Sequence, residues 1–430
     1  MEQLDIGWYD QQLVCRATKL RRVTERTMKT IDIPALIIPW RKAIDAFAAR
    51  GHSARSVLQE EKLVWRTLSR LSGRKGIMHL GRAIPVDSAL RDLLLDFCRG
   101  VIRFEKPTWQ LEPACCPTCS TRRQVPRVLR LEWTRQHMEV HQQRVAGILI
   151  GLAAGDENGG PTEMALRLAE SLLERKCYEP DEVFARYLDW HREGSYDTGP
   201  VTGRVLAHVL DGISRANAVE QTDIELKGMT AGCNAAHRAG VLAMAPWLSI
   251  DALVDAARTE AHLTHHHPIA ADAAIAVAVQ CRDQVIGRSR FKRGHLGRIS
   301  TQLHPEIQQA LRGPSPTQAQ IVEPDSPARK QLHAGGYSPG TLHTALAFAR
   351  TPRYPAASLL AAKDFAGPDN YCPVLVGAFL GARFGAGAFE GHLRHHPRAH
   401  VARINEAAWG LADLWRPNQG NWIAARTSGE

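Results

Sequence analysis

Residues 145–172 read VAGILIGLAAGDENGGPTEMALRLAESL. The first ten are apolar or glycine, a polar turn follows them, and an Ala- and Leu-rich stretch then continues. An apolar run of this length is typical of a buried helix and is shorter than the roughly 18 residues of a membrane span. Gly-Gly-Pro at 159–161 predicts a helix start, because proline at the first helical position lacks only an N–H that has no partner there. This stretch therefore predicts two successive core helices.

From residue 141 onward, the composition and the spacing of apolar residues remain typical of helices. Ala, Gly and Leu are frequent, apolar residues recur at helical spacing, and strand-like alternation of useful length does not occur. We predict an all-α domain at 141–415, interrupted by a polar loop at 312–331 and followed by a loose tail at 416–430. A chain of 430 residues is long enough for this domain and a separate N-terminal region.

Composition excludes several classes of protein. With 23% charged and 44% apolar residues, the chain is not collagen-like, coiled-coil or largely disordered. The opening MEQLDIGWYD is acidic and polar, unlike a signal peptide. Nine scattered cysteines do not indicate a secreted disulfide framework. We expect a cytoplasmic protein that does not bind a membrane.

The net charge of +10 belongs to the first third of the chain. Residues 1–140 contain 25 Lys and Arg against 15 Asp and Glu, whereas residues 141–430 contain 29 of each. The pattern predicts a separate basic, mostly helical N-terminal region, with helices at 33–50, 54–71 and 88–101. Nucleic acid is a candidate partner for this region, and a solvated basic surface is the alternative.

Two cysteines and two histidines near residue 130 have end spacings of the zinc-finger type. They are Cys116, Cys119, His137 and His141. However, 17 residues separate the two pairs, against a usual spacing of about a dozen, and the Arg-rich segment between them shows no hairpin pattern. We therefore favour a linker with reduced thiols over a zinc site.

Three segments of the helical domain share one design, a Gly-Pro step beside Asn or Asp, at 158–164, 197–202 and 367–371. Helix N-termini attract anions through free N–H groups and the helix dipole, and glycine lets a ligand approach the backbone. If these helix starts converge, they form a pocket for a phosphate-bearing ligand. Its rim would carry Asn158, Asp197, Asp369 and Asn370. The alternative is three ordinary helix starts.

Three further segments of the helical domain have distinctive sequences. Small residues recur every fourth position at 377–386, which predicts close packing against another helix. Residues 230–238, TAGCNAAHR, form a small-residue turn before a buried helix. The histidines between 262 and 267 do not predict a metal site, because consecutive side chains point in different directions.

In order and spacing, these motifs resemble the ADP-ribosylglycohydrolase family, including the dinitrogenase reductase-activating type. The similar stretches lie between 144 and 388 and include GILIG, GGPTEMALRLAESL, YLDWHREGSYDTGPVT, AGCNAAHRAGVLA, LTHHHPIAADAA, GGYSPGTLHTALAFA and AGPDNYCPVLVGAFLGARFGA. The resemblance implies an orthogonal helical bundle that hydrolyses N- or O-linked ADP-ribose. ADP-ribose or an ADP-ribosylated protein or nucleotide would then be its partner.

The resemblance also implies site residues. The implied ligand-binding residues are Asn158, Gly159, Gly160, Thr162, Gly199, Gly232, Asn234, Arg238, His265 and Asn370. Glycosidic cleavage needs a base for water and a group that stabilises oxocarbenium-like charge. Asp197 is the candidate base or ribose-hydroxyl partner, with Glu157 or Asp369 as the second carboxylate. A helix cap is the alternative role for Asp197.

Family members hold two magnesium ions with carboxylates from Thr-Asp-Asp-Thr and Asp-Thr-Asp-Thr motifs, and magnesium prefers hard oxygen ligands. Here the motifs are replaced by GGPT at 159–162 and PDNY at 368–371. The magnesium site is therefore expected to be degenerate, with Asp156, Glu157 and Asp369 as the remaining candidate ligands. The alternatives are a catalytically silent ADP-ribose-binding protein and a nucleic-acid-binding protein that acts through residues 1–140.

Overall fold

The computed structural model describes residues 77–79, 82–84, 111–115, 122–287, 294–313, 316–350, 355–369 and 371–415, and their side chains from residue 141 onward, except that of Glu390. The chain divides into two compact units. One comprises Met1–Arg50 and Gln59–Val140, and the other comprises Gly51–Leu58 and His141–Glu430. The limits predicted for the domain and its tail remain predictions.

The described part of the first unit contains four short strands that the sequence did not predict. They are β1 (Ile77–His79), β2 (Arg82–Ile84), β3 (Leu111–Cys115) and β4 (Arg122–Pro126). Strands β1 and β2 pair antiparallel, as do β3 and β4. Strands of three to five residues are too short to show a clear alternation of apolar and polar residues. The predicted helices at 33–50, 54–71 and 88–101 lie outside the described residues.

After β4, the described residues form helices, short 3₁₀ segments and loops, which confirms the all-α prediction. The α-helices are α1 (Arg127–Gly155), α2 (Gly160–Arg175), α3 (Pro180–Arg192), α4 (Pro200–Leu210), α5 (Arg215–Glu225), α6 (Asn234–Ala239), α7 (Ile250–Ala261), α8 (Pro268–Val285), α9 (His295–Ile299), α10 (Pro305–Arg312), α11 (Gln318–Val322), α12 (Pro327–Lys330), α13 (Ser338–Ala349), α14 (Pro355–Ala366), α15 (Tyr371–Phe384) and α16 (Arg398–Ala412). The 3₁₀ segments are Gly240–Met244, Ser300–Gln302, Gly367–Asp369, Ala386–Ala388 and Glu390–His392. No described helix has both the length and the apolar character of a membrane span.

Helix α8 lies at the centre of the bundle. Nearly all of its residues are buried, and it packs against α6, α7, α13 and α15. Its Ala-rich sequence explains this position, because small side chains let several helices approach one axis closely. The helices that carry the candidate site surround this core.

A glycine seam joins α1 to α15. A Cβ on Gly147 or Gly151 would overlap the backbone carbonyl of Gly381 or Gly377, and the reverse substitutions would meet the same obstruction. A Cβ on Gly155 would overlap the carbonyl of Pro373. The predicted close packing of the small-residue stripe is confirmed, and its partner is α1. The seam brings the end of α1 beside the start of α15.

Candidate active site

Four loops that are distant in the sequence meet at one cavity of about 150 Å³. The cavity is lined by Asn158, Pro161, Asp197, Gly199, Asn234, His237, Pro368, Asp369 and Tyr371. Each of the three Gly-Pro segments contributes to this lining, so the sequence-predicted segments do lie together. Asn370 lies outside the described residues.

Asp156 is fully buried behind the cavity and caps helix α2. Its Oδ1 accepts hydrogen bonds from the backbone N–H groups of Asn158 at 3.2 Å and Gly159 at 2.9 Å. Its Oδ2 accepts from the N–H of Thr162 at 2.8 Å and from Thr162 Oγ1 at 2.6 Å. A carboxylate offers about four lone-pair sites, and these four donors use them. In the described structure Asp156 therefore acts as a cap of helix α2, and its role as a metal ligand stays a prediction.

Asp197 approaches the same helix start from the other side. The N–H of Gly160 lies near its carboxylate and favours the ionised form. A Cβ on Gly160 would overlap the Asp197 carbonyl oxygen and would lie 2.8 Å from its Cβ, so only glycine permits this approach. Two carboxylates thus lie beside the first turn of α2. Phosphate binding at this helix start stays a prediction.

The environment of Asp197 sets its protonation. Partial burial in the cavity wall, together with the negative charge of Asp156, raises the pKa of Asp197 to about 6 despite the Gly160 N–H. Its backbone has a left-handed φ of 48°, which is uncommon for a residue with a side chain. The N-cap of α4 is Gly199, so Asp197 lies two residues before that cap.

Two asparagine side chains each form a hydrogen bond that joins two of the segments around the cavity. Asn158 Nδ2 donates to the carbonyl of Pro368 at 3.1 Å, which joins the α1–α2 loop to the segment before α15. Asn234 Nδ2 donates to the carbonyl of Thr198 at 2.8 Å, which joins α6 to the loop before α4. A Cβ on Gly199 would overlap the Asn234 amide. Glycine at 199 therefore allows this second link.

His237 lines the cavity and was missed as a site residue. Its side chain is 2% exposed, and Nε2–H donates to the carbonyl of Tyr371 at 2.8 Å. Its Nδ1 is buried without a hydrogen-bond partner among the described residues. Burial lowers the pKa of His237 to about 4, so the ring is neutral near pH 7. The available signal was its position one helical turn after Asn234, on the same face of α6.

Arg238 and His265, both predicted to bind ligand, lie behind the cavity instead. Arg238 is completely buried and forms an ion pair with Glu260, while its Nη2 donates to Thr264 Oγ1 at 2.8 Å. His265 is 1% exposed, and its Nδ1 lies 2.8 Å from the same hydroxyl. Tyr187 Oη donates to Glu260 at 2.9 Å and completes this network. These residues support α6 and α7 rather than line the cavity.

The remaining predicted residues occupy the margins of the site. Glu157 points away, its Oε1 lying 3.2 Å from Lys363 Nζ, and it does not line the cavity. Thr162 bonds to Asp156, and Gly159 lies against the exposed ring of Tyr196. Gly232 forms an isolated β-bridge with Tyr337.

The residues present do not fit the magnesium pair that the family resemblance implies. Within the described ranges, no three His, Cys, Asp or Glu side chains are placed to hold one metal ion. Asp156 is saturated by N–H and O–H donors, and Glu157 is paired with Lys363. Of the three candidate ligands, Asp369 alone lines the cavity.

The histidines of the zinc-finger-like pattern lie in α1. His141 Nδ1–H donates to the carbonyl of Val285 at 2.9 Å, and its ring stacks on Trp415. Cys116 and Cys119 are outside the described residues. That these four residues do not bind zinc stays a prediction.

A comparison with known protein families agrees with the motif order. The sequence model of the family described as ADP-ribosylglycohydrolase matches residues 137–421. The chain belongs to the ADP-ribosylglycohydrolase family, which confirms the resemblance predicted from its motifs. A solved structure described as "ADP-ribosylglycohydrolase-related protein complex" is 23% identical, with a TM-score of 0.49, and the match covers 64% of this chain and 98% of that chain. No curated protein matches the chain.

Proposed function

We propose that this protein is a hydrolase that removes ADP-ribose, or a related nucleotide-ribosyl group, from a modified substrate. The observation that carries the proposal is the carboxylate of Asp197, which lines the cavity with a pKa raised to about 6. A general base is most effective when its pKa lies near the working pH. The family membership supplies the substrate class.

In the proposed reaction, water attacks the anomeric carbon of the ribose while the bond to the modified group breaks. Asp197 accepts the proton that water loses, and this proton passes to the leaving nitrogen or oxygen. The carboxylate of Asp369 stabilises the positive charge that develops on the ribose ring. Asn158 holds the segment of Asp369 to the α1–α2 loop, and Asn234 holds the segment of Asp197 to α6. No step requires a metal ion.

The test is release of ADP-ribose from an ADP-ribosylated protein by the full chain. Asp197→Asn should lower the rate by about 100-fold or more, since general-base catalysis typically contributes this much. Asp211→Asn is the matched control, because Asp211 is exposed and does not line the cavity. We expect Asp211→Asn to stay within about twofold of the native rate. Equal rates for native protein and Asp197→Asn would reject the proposal.

The second candidate is a catalytically silent protein that binds ADP-ribose. It is favoured by the use of Asp156 as a helix cap and by the replacement of both metal motifs. Calorimetric binding of ADP-ribose without any release of it from modified proteins would support this alternative. The nucleic-acid prediction concerns residues 1–140, whose side chains are not described, and it is not carried further.

A further inference from the structure

Two amide side chains that line the cavity bond to the protein through their nitrogen atoms. Asn158 and Asn234 both hold their amide nitrogens against backbone carbonyl groups. A carbonyl oxygen can only accept, so these contacts fix which end of each amide is nitrogen. Each Oδ1 therefore points away from that backbone contact and is left to accept a hydrogen bond.

His237 adds a buried acceptor to this lining. Its Nε2–H donates a hydrogen bond to the carbonyl of Tyr371, which is also a group that can only accept. The neutral ring therefore carries its lone pair on Nδ1, which has no partner among the described residues. A buried acceptor without a partner costs free energy, which a donor supplied from outside the chain removes.

The acidic residues of the cavity also favour a ligand that donates hydrogen bonds. Asp197 and Asp369 are carboxylates, which accept hydrogen bonds and repel anions. The first turn of α2, the natural place for a phosphate, is already filled by Asp156 and Asp197. The cavity therefore favours a ligand group that carries several O–H donors and no negative charge.

The volume of the cavity limits the size of the ligand group that it can hold. Its volume of about 150 Å³ is below the roughly 300–1,000 Å³ of pockets that bury a drug-sized ligand. One sugar ring is a suitable occupant, whereas a whole nucleotide must extend beyond it. A ribose presents hydroxyl donors on a neutral ring and matches both the size and the hydrogen-bonding character.

We propose that the cavity binds the terminal ribose of its ligand directly through the ribose hydroxyls, without a divalent cation, and that the phosphates stay outside. This inference rests on the proposed function, which supplies ADP-ribose as the ligand. It departs from the metal-dependent arrangement that the family resemblance implies, because the side chains that would hold the ions are absent or occupied. Oxygen acceptors of the protein take the place of the ions.

The test measures binding of ADP-ribose and of ADP to the full chain by calorimetry, once in EDTA and once in magnesium chloride. We expect the affinity for ADP-ribose to agree within about twofold in the two buffers. ADP, which lacks the terminal ribose, should bind at least about 10-fold more weakly. Binding of ADP-ribose that requires magnesium, or equal affinity for ADP and ADP-ribose, would overturn the inference while leaving the proposed function standing. Absence of ADP-ribose binding in both buffers would overturn the proposed function as well.

A variant tests the link by which Asn234 positions this part of the cavity. Asn234→Asp removes the amide that donates to the carbonyl of Thr198 and places a charge there, so it should weaken ADP-ribose at least about 10-fold and ADP less. Asn217→Asp is the control, since Asn217 is exposed on α5 and uses only its backbone N–H, to Ser214. Thermal unfolding checks that both variants fold. Equal losses for ADP and ADP-ribose in folded Asn234→Asp would contradict ribose recognition at this site.

Discussion

Asp156 and Asp197 both lie at the first turn of helix α2, where Asp156 accepts a hydrogen bond from the N–H of Thr162 and Asp197 lies beside Gly160. The first carboxylate is buried and saturated with donors, whereas the second lines the cavity. Two like charges at one helix start make ionisation of the less well-bonded carboxylate harder. The structural cap thus tunes the candidate catalytic group.

The first prediction concerns Gly160. Gly160→Ala places a Cβ against the Asp197 backbone, so either α2 or the Asp197 loop must move. We expect a loss of about 1–3 kcal/mol of unfolding free energy, as for other overpacked sites, together with weaker ADP-ribose binding. Chemical denaturation and calorimetry measure the two effects. Gly391→Ala is the control, because a Cβ there meets nothing within 4 Å. Similar values for the two variants would contradict the packing argument.

The second prediction concerns the pH dependence of ADP-ribose release. A base must be ionised to accept a proton, and the pKa of Asp197 is about 6. The value of kcat/KM should therefore rise with pH and level off above this pKa. A profile that stays flat from pH 5 to about 8 would remove Asp197 from the role of base.

The third prediction concerns stability and also follows from Asp197. A raised pKa means that the folded state favours the protonated form. The resulting stabilisation is present below the unfolded pKa of about 3.9 and is lost as the pH rises through about 6. Asp197→Asn is neutral throughout, so its Tm relative to native protein should be higher at pH 7.5 than at pH 4. A constant difference in Tm would show that the folded protein does not perturb this carboxyl group.

The fourth prediction concerns His237, whose pKa is lowered to about 4 by burial. The folded state excludes the proton, so stability is full above the unfolded pKa of about 6.5 and falls as the pH drops toward about 4. The lowered pKa corresponds to at most about 3 kcal/mol. His237→Gln keeps a donor for the Tyr371 carbonyl but does not titrate, so it should lose less stability in acid. Thermal unfolding between pH 7 and about 4 measures this loss, and we expect His266→Gln, at an exposed residue, to behave like native protein. If His237→Gln loses as much stability as native protein, His237 is not the group responsible.

The sequence predicted helix starts better than it predicted side-chain directions. The Gly-Pro steps located the loops that line the cavity, because proline and glycine act through local backbone preferences. Motif order also placed Arg238 in the site, although its neighbour His237 is the residue that faces it. Successive helix residues point about 100° apart, so adjacent positions face different surroundings. Only the tertiary packing shows that Arg238 turns toward Glu260.

The hydrogen bonds of Asp156 are a second feature that could not be predicted from the sequence. The sequence left Asp156 as a candidate metal ligand, and nothing in the sequence showed that four hydrogen-bond donors surround this carboxylate. The strands at 111–115 and 122–126 were missed for another reason, since their pairing depends on contacts between segments that are individually too short to reveal a pattern.

The seam between α1 and α15 has a consequence for how this site can evolve. Helix α1, which ends just before Asp156, and helix α15, which begins shortly after Asp369, touch backbone to backbone at glycine residues. Substitutions there can only push the helices apart, and doing so separates the two acidic loops. Changes of ligand preference therefore have to arise from substitutions in the loops themselves, while the distance between α1 and α15 stays the same.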